Sequence, residues 1–279
     1  MQIQENVDLS SYITVRIGGK AKKLFFPESI EELCTLQKDL PSFLIISGGS
    51  NILMDDTKQY NNVIHMKKVD TSMRLLDDGC FYCGASVRIQ SFIKYAQSEG
   101  YGGIEYLYSL PAMMGGIIVM NAGRGKQSGC SISDTVEEVY VVKRGERITL
   151  RKEECTFSYR KSLFQNEDMI VVGVKLRLTS MSRENIQKGI EERIELCKNT
   201  QDHSGNTFGS VFCESDTRIM KICQKLAGKK GIRWSPKRLN WMINDGTGTF
   251  YQANRSIKMC ERLHKLLRKR IELEVRIWK

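Results

Sequence analysis

Two glycine-bearing turns, each set against an apolar run, constrain this chain more than anything else in it. The first is Gly48-Gly49-Ser50-Asn51, directly after Phe43-Leu-Ile-Ile46 and Ser47. Four bulky apolar residues in so short a run read as a buried strand. A turn that opens on two glycines needs small residues, since glycine takes left-handed backbone angles without a Cβ clash. The second is Gly115-Gly116 with Asn121-Ala122-Gly123. Successive N–H groups in such turns form an anion-binding concavity, to which Ser50 and Asn51 add side-chain donors. Most Gly-Gly-Ser turns are only turns. Two of them about 65 residues apart, each joined to strands, point to a large phosphate-bearing ligand. Neither loop reads GxGxxG or GxxxxGK[ST], so the ordinary dinucleotide and P-loop readings lose support.

The surrounding pattern is mixed. Residues 23–27, 63–66, 80–83, 136–142 and 169–178 read as strands, and 28–36 and 89–97 as helices, the latter closed by Gly100. Tyr159-Arg160 falls in the loop between the last two strands. From residue 184 the chain turns helical, over 184–197, 217–226 and 254–267, with a polar break at 200–209. Residues 273–278 alternate like a strand. The order is that of an α+β or α/β protein.

Composition narrows the class. With 41% apolar and 27% charged residues among 279, the chain has material for a sizeable core and is neither disordered nor collagen-like. No run of about 18 apolar residues is present, so no membrane-spanning helix is expected. The opening MQIQENVDLS lacks a basic stretch followed by an apolar one, so the cytoplasm is the expected location. The net charge of +11 is uneven: residues 181–279 carry 21 Lys and Arg against 11 Asp and Glu. That imbalance suits an anionic partner, whether nucleic acid, an acidic membrane surface or a phosphorylated small molecule. The densest basic run, 262–270, is interleaved with Leu263, Leu266 and Leu267, the pattern of an amphipathic surface helix. Nine cysteines with a single CxxC (Cys80 and Cys83) and three scattered histidines argue for reduced, mostly buried thiols and against a metal site.

At this point a resemblance becomes specific. In order along the chain stand Thr14-Val-Arg-Ile-Gly-Gly19, Ser47-Gly-Gly-Ser-Asn-Ile-Leu53, Gly84-Ala-Ser-Val87, Gly103-Ile-Glu-Tyr-Leu107, and Pro111 with Gly115-Gly116. Met120-Asn-Ala-Gly123, Phe157-Ser-Tyr-Arg160 with Ser162-Leu-Phe164, Gly209-Ser-Val-Phe212 and Leu273-Glu-Val-Arg276 follow. This series resembles the UDP-N-acetylenolpyruvoylglucosamine reductases, also called UDP-N-acetylmuramate dehydrogenases, of peptidoglycan precursor synthesis.

The resemblance implies an α+β fold: a flavin-binding domain of the vanillyl-alcohol-oxidase (PCMH) type in two lobes, plus a smaller α+β substrate-binding domain. It places lobe one at 1–67, rejoined by 273–279, lobe two at 68–185 and the substrate domain at 186–272. It implies FAD on Gly48, Gly49, Ser50, Asn51, Gly115, Gly116, Asn121, Ala122 and Gly123, held non-covalently since neither glycine loop contains His or Cys. NADPH is the implied hydride donor. Hydride then reaches C3 of the enolpyruvyl ether of a UDP-sugar while C2 takes a proton. By the resemblance Arg160 and Glu274 stabilise the developing enolate and Ser210 protonates C2. Tyr159, Lys237, Arg238 and Asn240 are the implied substrate ligands. No metal, nucleic acid or membrane partner is expected.

The sequence departs from the family pattern at Pro111-Ala112-Met113-Met114, at Cys213-Glu214-Ser215 and over residues 232–238. Two alternatives therefore stand beside the reductase. One is a paralogous flavoprotein acting on a different anionic substrate. The other is a basic nucleic-acid-binding module, for which only Trp234 and Trp241 offer stacking aromatics.

Overall fold

The computed structural model describes residues 1–126, 129–228 and 230–279. Its Cα packing divides the chain into two units. One comprises Met1–Ile3, Leu24–Ser47 and Asn62–Cys197; the other comprises Gln4–Lys23, Gly48–Asn61 and Lys198–Lys279. Residues 4–23 and 48–61 thus group with the C-terminal stretch, a different partition from the three segments read in the sequence.

The first unit is built on a five-stranded antiparallel sheet, in the order Glu146–Arg151, Val136–Lys143, Met169–Leu176, Phe81–Gly84, Met73–Leu75. The central strand Met169–Leu176 is buried almost throughout, which is why it reads as a continuous apolar run rather than an alternation. Helix α1 (Ile30–Asp39) starts at Ser29, whose hydroxyl accepts from the Glu32 N–H. Helix α2 (Ile89–Ser98) buries Ile89, Phe92, Ile93 and Ala96, one face at helical spacing, and Phe92 meets Phe81 of the sheet edge-on. Strand Leu44–Ile46 runs parallel to 63–65, the end of strand Gln59–His65, and delivers the chain to Ser47. Helix α3 (Met114–Val119) follows, and the unit's chain ends within α4 (Arg183–Thr200), at Cys197.

The second unit holds short strand pairs and two helices. Ile232–Trp234 pairs with Met242–Asn244, and Phe212–Glu214 with Glu272–Leu273, both antiparallel; Arg276–Trp278 lies parallel to Ile52–Met54. Helices α5 (Thr217–Leu226) and α6 (Phe250–Leu266) pack antiparallel: the Asp216 N–H that opens α5 donates to His264 Nε2 near the end of α6 (3.0 Å). A reciprocal cap between Thr249 and Gln252 sets the start of α6 four residues before the periodicity suggests.

Two expectations are corrected. Gly115 and Gly116 are not a loop but the first turn of α3; Met114, Ile117 and Ile118 are buried along it, and that packing outweighs two poor helix formers. Residues 273–278 are not one strand. The Val211 carbonyl accepts from both the Glu274 N–H (2.9 Å) and the Val275 N–H (3.2 Å), and the strand breaks there. None of the nine cysteines is in a disulfide, and six are buried. No helix among the described residues is long and apolar enough to cross a membrane.

His65, at the end of its strand against the Phe26 ring (5.5 Å), gives a pH prediction. Burial pushes its pKa down to about 4, with the Lys67 charge acting the same way. The unfolded chain takes up this proton near pH 6.5 and the folded chain only near 4, so stability falls as pH drops through that window. The loss is about 3 kcal/mol. Urea midpoints at pH 7 and 4.5 should differ less in His65→Gln than in the parent; equal differences would exclude His65 as the cause.

Candidate active site

The glycine turn at 48–51 belongs to the second unit. Gly49 has φ +62°, and a Cβ there would lie 2.1 Å from the Tyr12 carbonyl oxygen and 2.8 Å from Ile13 Cα. Its carbonyl accepts from the Thr14 N–H (3.0 Å), which ties the turn to the 12–14 segment. Among the described residues no protein group accepts from the N–H of Gly48, Gly49 or Ser50. Three successive amides in a half-buried turn, with no protein acceptor, are the donors that a diphosphate requires. Asn51 does another job. Its Nδ2 donates to the Glu274 carbonyl (3.0 Å), and its own carbonyl accepts from the Arg276 N–H (3.0 Å).

That pair of bonds places Glu274, and Glu274 in turn places Ser210. The Val211 carbonyl holds the Glu274 and Val275 amides, so the residue after Ser210 is fixed directly to the backbone of Glu274, while the Val211 N–H donates to the Asn240 carbonyl (2.9 Å). From the other side Ser210 bridges Trp241, and Asn240 clamps the next strand: its Oδ1 accepts from Phe212 N–H (3.0 Å) and its Nδ2 donates to Phe212 O (2.6 Å). Both ends of the Asn240 amide are therefore engaged with backbone. The Ser210 hydroxyl makes no hydrogen bond to the protein among the described residues, so it caps no turn there.

Lys237 and Arg238 are exposed, on a loop whose form was not legible in the sequence. The Ser235 hydroxyl accepts from both of their N–H groups (3.1 and 3.0 Å) and donates to Asp202 (2.7 Å). Asp202 is buried, which alone would raise its pKa; hydrogen bonds from Ser204 and Ser235, aided by Arg233, bring it down to about 2 instead. The Arg238 guanidinium lies 5.7 Å over the Trp241 ring.

The remaining expected residues lie in the first unit. Gly115 packs its Cα on Ala85, and its N–H donates to the Ala85 carbonyl (2.9 Å). At Gly116 the space a Cβ would take is open, with only Ser47 Oγ within 4 Å, at 3.9 Å. That hydroxyl is buried and makes no hydrogen bond among the described residues. Asn121 sits at φ +41°, its Nδ2 donating to Ser158 O (2.8 Å) and its Oδ1 accepting from Ser133 N–H (3.2 Å). The Asn121 and Ala122 amides are engaged by Ile118 and Ile117, and a Cβ on Gly123 would lie 2.1 Å from the Cys130 carbonyl oxygen. Ser158 and Lys161 close a tight turn that presents Tyr159 and Arg160. Arg160 is left-handed (φ +59°), with its guanidinium over the Tyr159 ring and its Nη2 donating to Gly123 O (2.9 Å).

Comparison with known proteins places this arrangement. Among curated relatives, the UDP-N-acetylenolpyruvoylglucosamine reductase of Thermotoga sp. (strain RQ2) is 30% identical over 97% of this chain and 91% of its own. The enzyme of that name from Carboxydothermus hydrogenoformans is 31% identical over 88% of this chain and 83% of its own. The chain belongs to the UDP-N-acetylenolpyruvoylglucosamine reductase family. A crystal structure of the reductase (MurB) from Thermus caldophilus superimposes with a TM-score of 0.80 at 26% identity, covering all of both chains. Residues 21–150 match the family model described as an FAD binding domain, a stretch that contains both glycine segments. The reductase fold is thus the α+β, FAD-binding fold expected.

The residues present fit FAD. The unengaged amides of 48–50 suit a diphosphate, and the open face of Gly116 beside the buried Ser47 hydroxyl suits close approach of a ligand bearing acceptors. Sequence reasoning missed Ser47, Asp202 and Ser235 as supports of the site. A serine before two glycines was the only available signal for Ser47; Asp202 gave none.

Proposed function

We propose that this protein reduces UDP-N-acetylglucosamine enolpyruvate to UDP-N-acetylmuramate, with NADPH as hydride donor, in the cytoplasm. The observation that carries the reading is the backbone lattice of Asn51, Glu274 and Val211, which joins a glycine turn suited to FAD to a serine with an unengaged hydroxyl. FAD, when bound, would supply the redox chemistry that connects hydride donation by NADPH with reduction at C3 of the enolpyruvyl ether. The Gly48, Gly49 and Ser50 amides hold its diphosphate, with Ser47 and the bare Gly116 backbone as further contacts. Gly115, Asn121 and Ala122, whose amides are engaged internally, serve by shaping their segment rather than by donating to FAD, whereas the Gly123 carbonyl accepts from Arg160.

Ser210 gives its hydroxyl proton to C2. A serine hydroxyl is too weak an acid for most acceptors, but a carbanion at C2 is basic enough when the donor is fixed in place. Arg160 and Glu274 stabilise the charge that develops at C2 and its carboxylate, Arg160 as a cation and Glu274, in its protonated form, as a hydrogen-bond donor. Tyr159, Lys237 and Arg238 meet the sugar nucleotide, the two cations suiting its diphosphate. Asn240, the remaining implied ligand, holds through its side chain the Phe212 backbone two residues after Ser210. The three-part division into 1–67 with 273–279, 68–185 and 186–272 belongs to the same proposal.

The test has two stages. The purified protein should be yellow, and denaturation should release the flavin; NADPH should bleach it; the enolpyruvyl sugar nucleotide should restore the colour. A colourless protein that takes up no FAD would overturn the reading. Bleaching without reoxidation would favour a paralogue acting on another anionic substrate, the reading motivated by Cys213-Glu214-Ser215.

Asp202→Ala tests the loop. It leaves two serine hydroxyls and Arg233 without their buried partner and should cost about 2–4 kcal/mol of stability. It should also raise KM for the sugar nucleotide roughly 10- to 100-fold while NADPH still bleaches the flavin at the parent rate. Lower stability with an unchanged KM would confine Asp202 to a structural role.

A further inference from the structure

The basic charge of this protein is concentrated on one pair of helices and their flanks. Residues 217–270 hold 15 Lys and Arg against two acids, Asp245 and Glu261, whereas the rest of the chain holds 28 against 30. The proposed reaction needs two of those cations, Lys237 and Arg238. Helices α5 and α6 hold most of the others.

On α6 the buried side carries Phe250, Ala253, Ile257, Cys260 and His264. The opposite stripe carries Tyr251, Arg255, Arg262 and Leu266, at spacings of four, seven and four, which keeps them on one face. On α5, Ile219, Met220 and Cys223 are buried, while Arg218, Lys221, Ile222, Lys225 and Leu226 are exposed. Among the described residues the three most exposed large hydrophobics are Leu266 (77%), Tyr251 (69%) and Leu226 (63%), all on this helix pair. Leu267 (49%) and Ile222 (46%) add to them, and Arg268, Lys269 and Arg270 follow, all exposed. Because the helices are antiparallel, Leu266 and Leu267 lie toward the start of α5, and Leu226 and Tyr251 toward the other end.

We propose that the exposed face of α5 and α6 is a docking surface for an anionic lipid bilayer. Basic side chains with protruding aliphatic ones between them are what such a surface selects: the cations meet the headgroups, and the leucines enter the upper acyl region. Tyrosine is at home at that boundary. Aliphatic side chains offer a nucleic acid no stacking, and a second copy of the same basic face is repelled. The lipid is therefore the occupant that both the charge and the exposed hydrocarbon fit, a reversal of the expectation that no membrane is involved.

Vesicle sedimentation with the full-length, flavin-loaded protein tests this. Vesicles of phosphatidylglycerol and phosphatidylcholine in equal parts should retain it about tenfold or more over phosphatidylcholine alone, and less as salt is raised. Leu266→Ser with Leu267→Ser should cut retention roughly tenfold, as should Arg268→Gln with Lys269→Gln and Arg270→Gln. Both variants should keep the parent's flavin content, since these residues are exposed. No sedimentation with anionic vesicles, or equal retention by neutral ones, overturns the proposal. So does unchanged retention of the leucine variant, which would show charge acting alone. Tighter binding to an RNA oligonucleotide than to the vesicles, or loss of a dimer in the leucine variant, would assign the face to another occupant and equally overturn it.

Discussion

Ser210→Ala is expected to leave bleaching of the flavin by NADPH at the parent rate and to slow reoxidation by the enolpyruvyl sugar nucleotide roughly 100- to 10,000-fold. The asymmetry follows from chemistry. Hydride arrival from NADPH needs no proton at C2, so a group that acts only as the C2 acid affects one half of the cycle. The change removes a single oxygen that makes no bond among the described residues, and the supports of residues 210–212, from Asn240, Trp241 and Glu274, do not involve that hydroxyl and remain. The fold should therefore be unaffected, and thermal unfolding of the variant should match the parent. Stopped-flow absorbance separates the two halves. Equal slowing of both, or slowing of neither, would remove Ser210 from the chemistry.

Gly49→Ala and Gly116→Ala form the second expectation, because the same methyl group should act in opposite ways. At Gly49 the left-handed backbone alone costs an alanine about 1–2 kcal/mol. The methyl would also overlap the Tyr12 carbonyl oxygen and Ile13, so the turn must move and its three amides lose their common direction. The purified variant should be colourless and should not regain flavin on dialysis against FAD. At Gly116 the methyl meets nothing closer than Ser47 Oγ, and alanine is the better helix former by about 1 kcal/mol. Its apoprotein should melt slightly above the parent apoprotein, yet bind FAD more weakly, because the methyl takes the space of the close approach. Fluorescence titration and apoprotein melting distinguish the two. Undiminished FAD affinity in Gly116→Ala would place the cofactor elsewhere.

What the sequence disclosed was governed by distance along the chain. Helix α5 could be read to the residue, over 217–226, because Ile219, Met220 and Cys223 repeat at helical spacing and Asp216 caps the start, all within ten residues. The turn at 48–51 was equally local, since the need for a left-handed glycine is written in the dipeptide. Helix α3 was hidden, because the two glycines that suggest a loop sit among apolar residues whose packing decides the matter. The break in 273–278 was invisible for a different reason: it is caused by the Val211 carbonyl, more than sixty positions earlier. Asn240 was implied as a ligand by the resemblance alone; the bonds of its side chain to the Phe212 backbone, 28 positions away, left no local signal. The Asp202–Ser235 support spans 33 positions and left no local trace. The resemblance named candidate side chains; the structure adds the bonds that hold several of them.

The bond from Asn51 to the Glu274 carbonyl joins residues 223 positions apart, and strand Ile52–Met54 finds its parallel partner only in Arg276–Trp278. On a ribosome adding 5–20 residues per second, the glycine turn therefore waits roughly 10–45 s for the stretch that fastens it. The second unit cannot be completed before residues 276–278 have emerged, nor be cut out as one contiguous gene fragment.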